Sequence, residues 1–264
     1  MDKLENIKLS IKEEVATISL NRPRVRNALN LSMIREISRT IQTLNADEGI
    51  RLIIFDSASS HFCSGADLRW MQSGLEMSED QLNSESRELA GLYRLIWESK
   101  AVTICSAKGH IPGGAIGLLA ASDFVVAESS VALTFSELKL GLVPATIARY
   151  VMRKAGFSRT SDWMMTGRSI SAAEAMEAGL IHRICDEGAL EENTGLLCRE
   201  LLSQGKEALK GLKQILRQLE DLKDPEEIDK YTSRTIAGFR KSEEGQEGMK
   251  AFLEKRLPRW NEGK

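Results

Sequence analysis

The chain has 264 residues, 42% hydrophobic and 28% charged, a balance that supplies a full apolar core and excludes a disordered or fibrous chain. Its formal net charge of -2 at pH 7 lacks the basic excess that a phosphate backbone demands, so no nucleic-acid partner is expected.

The opening M-D-K-L-E-N-I-K carries charged and amide groups where a signal peptide needs an apolar stretch, and no run of about 18 apolar residues follows anywhere. A cytoplasmic location with no membrane partner is therefore expected. Ile7, Leu9 and Ile11 alternate with polar residues, and V-A-T-I-S-L resumes after Glu13-Glu14, which predicts a β-hairpin ending before Arg22-Pro23. Ile34, Ile37, Ile41 and Leu44 recur at helical spacing behind a Ser32 cap, and R-L-I-I-F-D at 51–56 predicts a buried strand. A polar segment with a helical end at 89–97 leads to strands A-V-T-I-C-S-A at 101–107 and D-F-V-V-A at 123–127. Beyond Thr146 helical patterns dominate, with I-H-R-I-C at 181–185 as the only strand-like piece, and helices are predicted near 191–202, 207–222 and 225–239 before a charged segment at 243–256. The class is α/β, with a core over 1–200 and a helical C-terminal region over 201–264.

Two strand-to-turn junctions carry the chemistry. S-G-A-D-L at 64–68 and G-H-I-P-G-G-A-I-G at 109–117 place small residues where backbone can approach a ligand. Glycine reaches positive φ and has no Cβ to shield an amide, so Gly113 and Gly114 before an apolar helix would aim free N–H groups outward; a tight packing turn explains the same glycines. F-S-E-L-K-L-G-L-V-P-A at 135–145 then supplies Glu137 among Phe135, Leu138, Leu140 and Leu142, apolar neighbours expected to desolvate it and raise its pKa toward the range of a general acid/base. Cys63, Cys105, Cys185 and Cys198 show no C-x-x-C spacing and the histidines complete no zinc pattern, so free thiols in a reducing compartment and no metal are expected.

Together with N-R-P-R-V-R-N-A-L-N at 21–30 and G-M-K-A-F-L-E-K-R at 248–256, these motifs make the chain resemble the enoyl-CoA hydratase/isomerase, or crotonase, superfamily over nearly its whole length. The resemblance implies a spiral of β-β-α turns, a C-terminal helical trimerisation region, and homotrimers that often pair into homohexamers. It places the two oxyanion-hole donors on the N–H groups of Ala66 and Gly114, and the catalytic carboxylate on Glu137. It assigns coenzyme A contacts to Arg24, Arg26, Ala28, Ala66, Asp67, Leu68, Arg69, Phe252 and Lys255, the last two commonly reaching a neighbouring subunit's ligand. No cofactor is implied beyond the coenzyme A moiety of an acyl-CoA substrate.

Hydratases of the family usually carry a second glutamate, and its position falls on Gly117, which cannot handle a proton. Asp67, Tyr93, His110 or a carboxylate from the loop 72–85 are candidate replacements, with His61 and His182 behind them. The favoured expectation is an enoyl-CoA hydratase-type lyase acting through a thioester enolate, on branched or 3-methylglutaconyl-type acyl groups, a subgroup that also tends to carry Gly at the first acid position. The alternatives are a Δ3,Δ2-enoyl-CoA isomerase using one glutamate, an acyl-carrier-protein thioester decarboxylase or dehydratase, and a non-catalytic RNA-binding relative.

Overall fold

Aliphatic and β-branched alternation builds the first hairpin. β1 (Ile7–Lys12) pairs antiparallel with β2 (Val15–Leu20), Ile7 facing Leu20 across the ladder. The computed structural model describes residues 4–262 of the chain. α1 (Leu31–Ala46) follows, capped not by Ser32 but by Asn30, whose side-chain oxygen accepts the Met33 N–H at 2.9 Å. Ser32 already lies inside the helix, and its hydroxyl accepts from Asn6 Nδ2 instead. Ile34, Ile37, Ile41 and Leu44 are all buried, each contributing roughly 1.5–3 kcal/mol of apolar burial.

β3 (Leu52–Ser57) lies parallel to β2, and after α2 (Leu68–Ser73) the long helix α3 (Glu79–Glu98) begins well before Leu89. A capping box starts it: the Ser78 hydroxyl accepts the Gln81 N–H and the Gln81 side chain accepts the Ser78 N–H. Next come β4 (Val102–Ala107), β5 (His110–Pro112), α4 (Ala115–Ala121), β6 (Phe124–Glu128), β7 (Ala132–Thr134), α5 (Ala145–Thr166), β8 (Ser169–Ser171), α6 (Ala172–Glu177) and β9 (Arg183–Cys185). The second half thus holds β8 as well as β9, a correction to the single strand expected there.

Strands β1-β2-β3-β4-β6-β9 form one six-stranded sheet and β5-β7-β8 a smaller one. Each β-β-α turn, β4-β5-α4 and then β6-β7-α5, places its first strand in the large sheet, its second in the small sheet, and then a helix. All seven residues of α4 are buried, which only a helix of small and aliphatic side chains permits. The four cysteines are buried free thiols. No helix among the described residues is long and apolar enough to cross a membrane.

The chain divides into two units between Thr194 and Gly195, inside α7 (Leu190–Leu202). In the second unit, α8 (Lys206–Asp221), α9 (Pro225–Lys241) and α10 (Glu243–Leu253) pack on one another. α8 has no side-chain cap of its own, and Glu244 at the start of α10 accepts its first free N–H groups, from Glu207 at 3.0 Å and Ala208 at 2.8 Å.

Candidate active site

The two glycine turns and the Glu137 turn meet. Gly65 has φ +86, and a Cβ there would lie 3.0 Å from the Pro112 carbonyl oxygen, so the S-G-A-D turn abuts the end of β5. Gly113, the next residue after Pro112, has φ +54, and a Cβ on it would lie 3.0 Å from Glu137 Oε1. Backbone angle favours glycine at both positions, and at Gly65 the fixed Pro112 carbonyl adds to it, whereas at Gly113 the neighbour is the end of a side chain.

Around Ala66 the neighbouring backbone is tied to Leu29: the Leu29 N–H donates to Gly65 O at 2.7 Å and the Asp67 N–H donates to Leu29 O at 2.8 Å. The Ala66 N–H itself has no acceptor among the described residues, and Ala66 is exposed. The Gly113 N–H is used up on Thr134 O at 2.9 Å, which pairs β5 with β7, whereas the Gly114 N–H likewise finds no acceptor. The expected donor pair therefore consists of two N–H groups that the fold leaves unpaired in adjoining turns.

Glu137 opens a short 3-10 turn that ends at Gly141, φ +72, with the Leu142 N–H donating to Glu137 O at 3.0 Å. Its Oε2 is buried without a hydrogen-bond partner. Burial raises its pKa above the ordinary carboxylate value, and a hydrogen bond to its own backbone only partly opposes this. The source of that desolvation differs from expectation. Phe135 is buried, but Leu138, Leu140 and Leu142 are exposed, because the 3-10 turn carries them outward; the Gly113 turn is what the carboxyl group lies against.

Position 117 is occupied rather than open. A Cβ on Gly117 would lie 2.5 Å from Tyr93 Cε1 and 2.5 Å from Ile147 Cγ2, closer than any real contact. α3 and α5 close over α4 at this glycine, so no acid can project from it. Several of the proposed replacements are engaged within the fold. The Asp67 carboxylate pairs with Arg22 at 2.9 Å and caps α2 through the Arg69 and Trp70 N–H groups. Burial opposes ionisation of Asp67, but those hydrogen bonds outweigh it and hold its pKa below the ordinary value. Glu85, in the 72–85 segment, accepts from Trp70 Nε1 at 2.5 Å. Tyr93 is fully buried, and its hydroxyl donates to Gly114 O at 2.7 Å. His110 is exposed, with Nε2 3.1 Å from Thr134 Oγ1; His61 pairs with Ser60; His182 Nδ1 accepts the Val125 N–H.

Among the coenzyme A positions, Arg24, Arg26, Leu68 and Arg69 are exposed. Ala28 is buried, with its N–H donating to Val25 O and its carbonyl accepting from Arg22 Nη1 at 2.5 Å. Every polar group of Asp67 has a partner within the protein, since its carbonyl also accepts the Met71 N–H, and these bonds shape the loop. Phe252 on α10 and Lys255 just beyond it lie in the second unit and are exposed.

Two residues absent from the expected site organise it. Arg22 joins the 22–28 loop to Asp67, and Asn27, fully buried at φ +57, accepts the Arg22 N–H while its Nδ2 lies within 3.1 Å of Ser57 Oγ, Ser59 Oγ, His61 O and Phe62 O. The R-P-R-V-R-N run contained both, but nothing in one-dimensional spacing distinguishes the inward arginine from the outward two.

Two N–H groups left unpaired in adjoining turns, one of them on the residue after the glycine that the Glu137 carboxyl group touches, are of the kind that stabilises a developing enolate oxygen while one acid/base moves protons at carbon. Residues 10–263 match the model of the enoyl-CoA hydratase/isomerase family, and the chain belongs to that family. It is similar to an enoyl-CoA hydratase of Shewanella pealeana of known crystal structure, with 33% identity, TM-score 0.93, and coverage of 98% of this chain and 97% of that one. Enoyl-CoA hydratase domain-containing protein 2 of Bos taurus is 32% identical over 93% of this chain and 84% of its own length. The trans-2-decenoyl-[acyl-carrier-protein] isomerase of Streptococcus mutans is 24% identical over 97% of this chain and 98% of its own. The fold implied by the resemblance is thus shown, the crotonase fold.

Proposed function

We propose that this enzyme is a hydratase-type lyase of enoyl thioesters in which Glu137 is the single acid/base and the Ala66 and Gly114 N–H groups stabilise the enolate. The observation that carries this is the buried, unpartnered Oε2 of Glu137 with its carboxyl group against the Gly113–Gly114 turn. Glu137 takes a proton from water as the oxygen bonds to C3. The electron pair of the double bond moves onto the thioester oxygen, and the enolate collapses as Glu137 returns that proton to C2. A pair of donors lowers the barrier by about 2.7–4 kcal/mol each in comparable sites.

A second reading, Δ3,Δ2-isomerisation, is favoured by the filled position 117. One carboxylate suffices there, removing a proton from C2 of a 3-enoyl thioester and returning it to C4. Coenzyme A would run over the loop bearing Arg24, Arg26 and Ala28 and past Ala66, Asp67, Leu68 and Arg69, with Phe252 and Lys255 meeting the ligand of a neighbouring subunit. We assign a homotrimer, or trimers paired as a hexamer, on the exposed Leu212, Leu216 and Ile236 of α8 and α9.

The deciding experiment incubates the enzyme with 2-enoyl, 3-enoyl, branched and 3-methylglutaconyl thioesters of coenzyme A and of acyl carrier protein, and weighs the products. A gain of water supports the lyase, an isomer without mass change supports the second reading, and no turnover of any thioester overturns both.

A further inference from the structure

A Gly-Gly turn is the freest backbone a chain can make, so an N–H that must point one way there needs an outside tether. Gly114 has one. Its carbonyl accepts from two donors at once, the Tyr93 hydroxyl at 2.7 Å and the Gly117 N–H at 3.0 Å. The first comes from α3 and the second from within α4, so the turn is clamped to two helices. A Cβ on Gly114 would lie 3.2 Å from that hydroxyl, and the Tyr93 ring is braced edge-on by Tyr150 with centroids 6.3 Å apart.

We propose that Tyr93 is a positioning residue of the active site: its hydroxyl holds the Gly113–Gly114 turn so that the Gly114 N–H meets the thioester oxygen, and its ring fills the space over Gly117 that a second acid would occupy. This rests on the two-donor site described above. The hydroxyl has a single proton, and that proton is committed to the Gly114 carbonyl. Full burial also holds the phenol well above its ordinary pKa, so Tyr93 stays a neutral donor across the working range and does not shuttle protons. Its effect reaches the substrate only through the turn.

Tyr93→Phe keeps the ring and removes the tether. Isotope-edited infrared spectra of bound butyryl-CoA, a saturated thioester that cannot react, report how strongly the donors polarise the carbonyl. In the wild type the stretch falls on binding. In Tyr93→Phe the fall should be at least about halved and kcat reduced about 10–100-fold, with KM and the dissociation constant of butyryl-CoA changed less than about threefold. Tyr150→Phe, which removes a hydroxyl from the adjoining ring without touching the turn, should leave the stretch and kcat as in the wild type. A Tyr93→Phe enzyme with the wild-type stretch and kcat overturns the role of Tyr93 while leaving the donor pair intact. Equal losses in both variants overturn it too, by showing general loosening of the aromatic cluster. No stretch change in the wild type would instead remove the donor pair itself, and the tether with it.

Discussion

Glu137 Oε1 lies only 3.0 Å from where a Cβ on Gly113 would stand, so the Glu137 carboxyl group and the Gly113–Gly114 turn form one closely packed unit. Gly113→Ala should therefore cost twice: about 1–2 kcal/mol of stability from placing a Cβ at φ +54, and at least about tenfold in kcat from the displaced carboxylate. Thermal unfolding and steady-state kinetics measure the two losses separately. A variant with wild-type kcat would show that Glu137 has room to spare.

Glu137→Gln should keep acyl-CoA affinity and lose about 10²–10⁴-fold in kcat. The same substitution should raise the melting temperature at neutral pH. Burial raises the Glu137 pKa in the fold above its unfolded value of 4.5, so below that value the carboxyl is protonated in both states and costs nothing extra. As pH rises past it, the unfolded chain releases the proton first, and the wild type loses stability until the folded pKa is passed. The difference in melting temperature between variant and wild type should thus vanish in acid and grow to a plateau toward neutrality.

At Gly114, φ is −53, within proline's range, so Gly114→Pro removes the N–H with little backbone strain. Gly114→Ala adds the same Cβ, 3.2 Å from the Tyr93 hydroxyl, and keeps the N–H. The ratio of the two kcat values isolates the donor, and about 10²–10³-fold in favour of alanine is expected. Equal activities would make Gly114 a packing glycine.

Gly117→Glu would place the acid of two-glutamate hydratases at its aligned position, yet a Cβ there meets Tyr93 and Ile147 at 2.5 Å. Gly117→Ala alone should destabilise by about 1–3 kcal/mol through overpacking, and Gly117→Glu by more, without new hydratase activity. A folded Gly117→Glu enzyme that hydrates faster than wild type would show that α3 and α5 can part over α4.

Arg22→Met removes the partner of Asp67 and the donor to Ala28 O, and should cost about 1.5–3 kcal/mol while weakening acyl-CoA binding. The Asp67 pKa lies below its unfolded value of 3.8, so its stabilisation is complete above that value and disappears as pH falls through the folded pKa. The variant should therefore unfold in acid at a higher pH than the wild type. Coincident acid-unfolding curves would place Arg22 outside the loop's supports.

The candidate site was legible in the chain because each of its pieces is a local statement. A glycine pair before an apolar run, S-G-A-D after a strand, and a glutamate in F-S-E-L-K-L-G announce backbone geometry within a few residues, and Gly65, Gly113 and Gly141 indeed take positive φ. The first hairpin showed itself by alternation, β3, β4 and β6 as apolar runs, and the amphipathic helices by their helical spacing. Strands β5, β7 and β8, of three residues each, are too short for a period of two to register, and they exist because they pair with one another. The physical reason why position 117 carries no acid is likewise nonlocal. Tyr93, Gly117 and Ile147 stand on three different helices, and only their packing against one another decides that the space is filled. Arg22 and Asp67 are likewise distant in the chain, and which of the side chains of Arg22, Arg24, Arg26 and Asn27 turn inward depends on the partners that the fold brings to them.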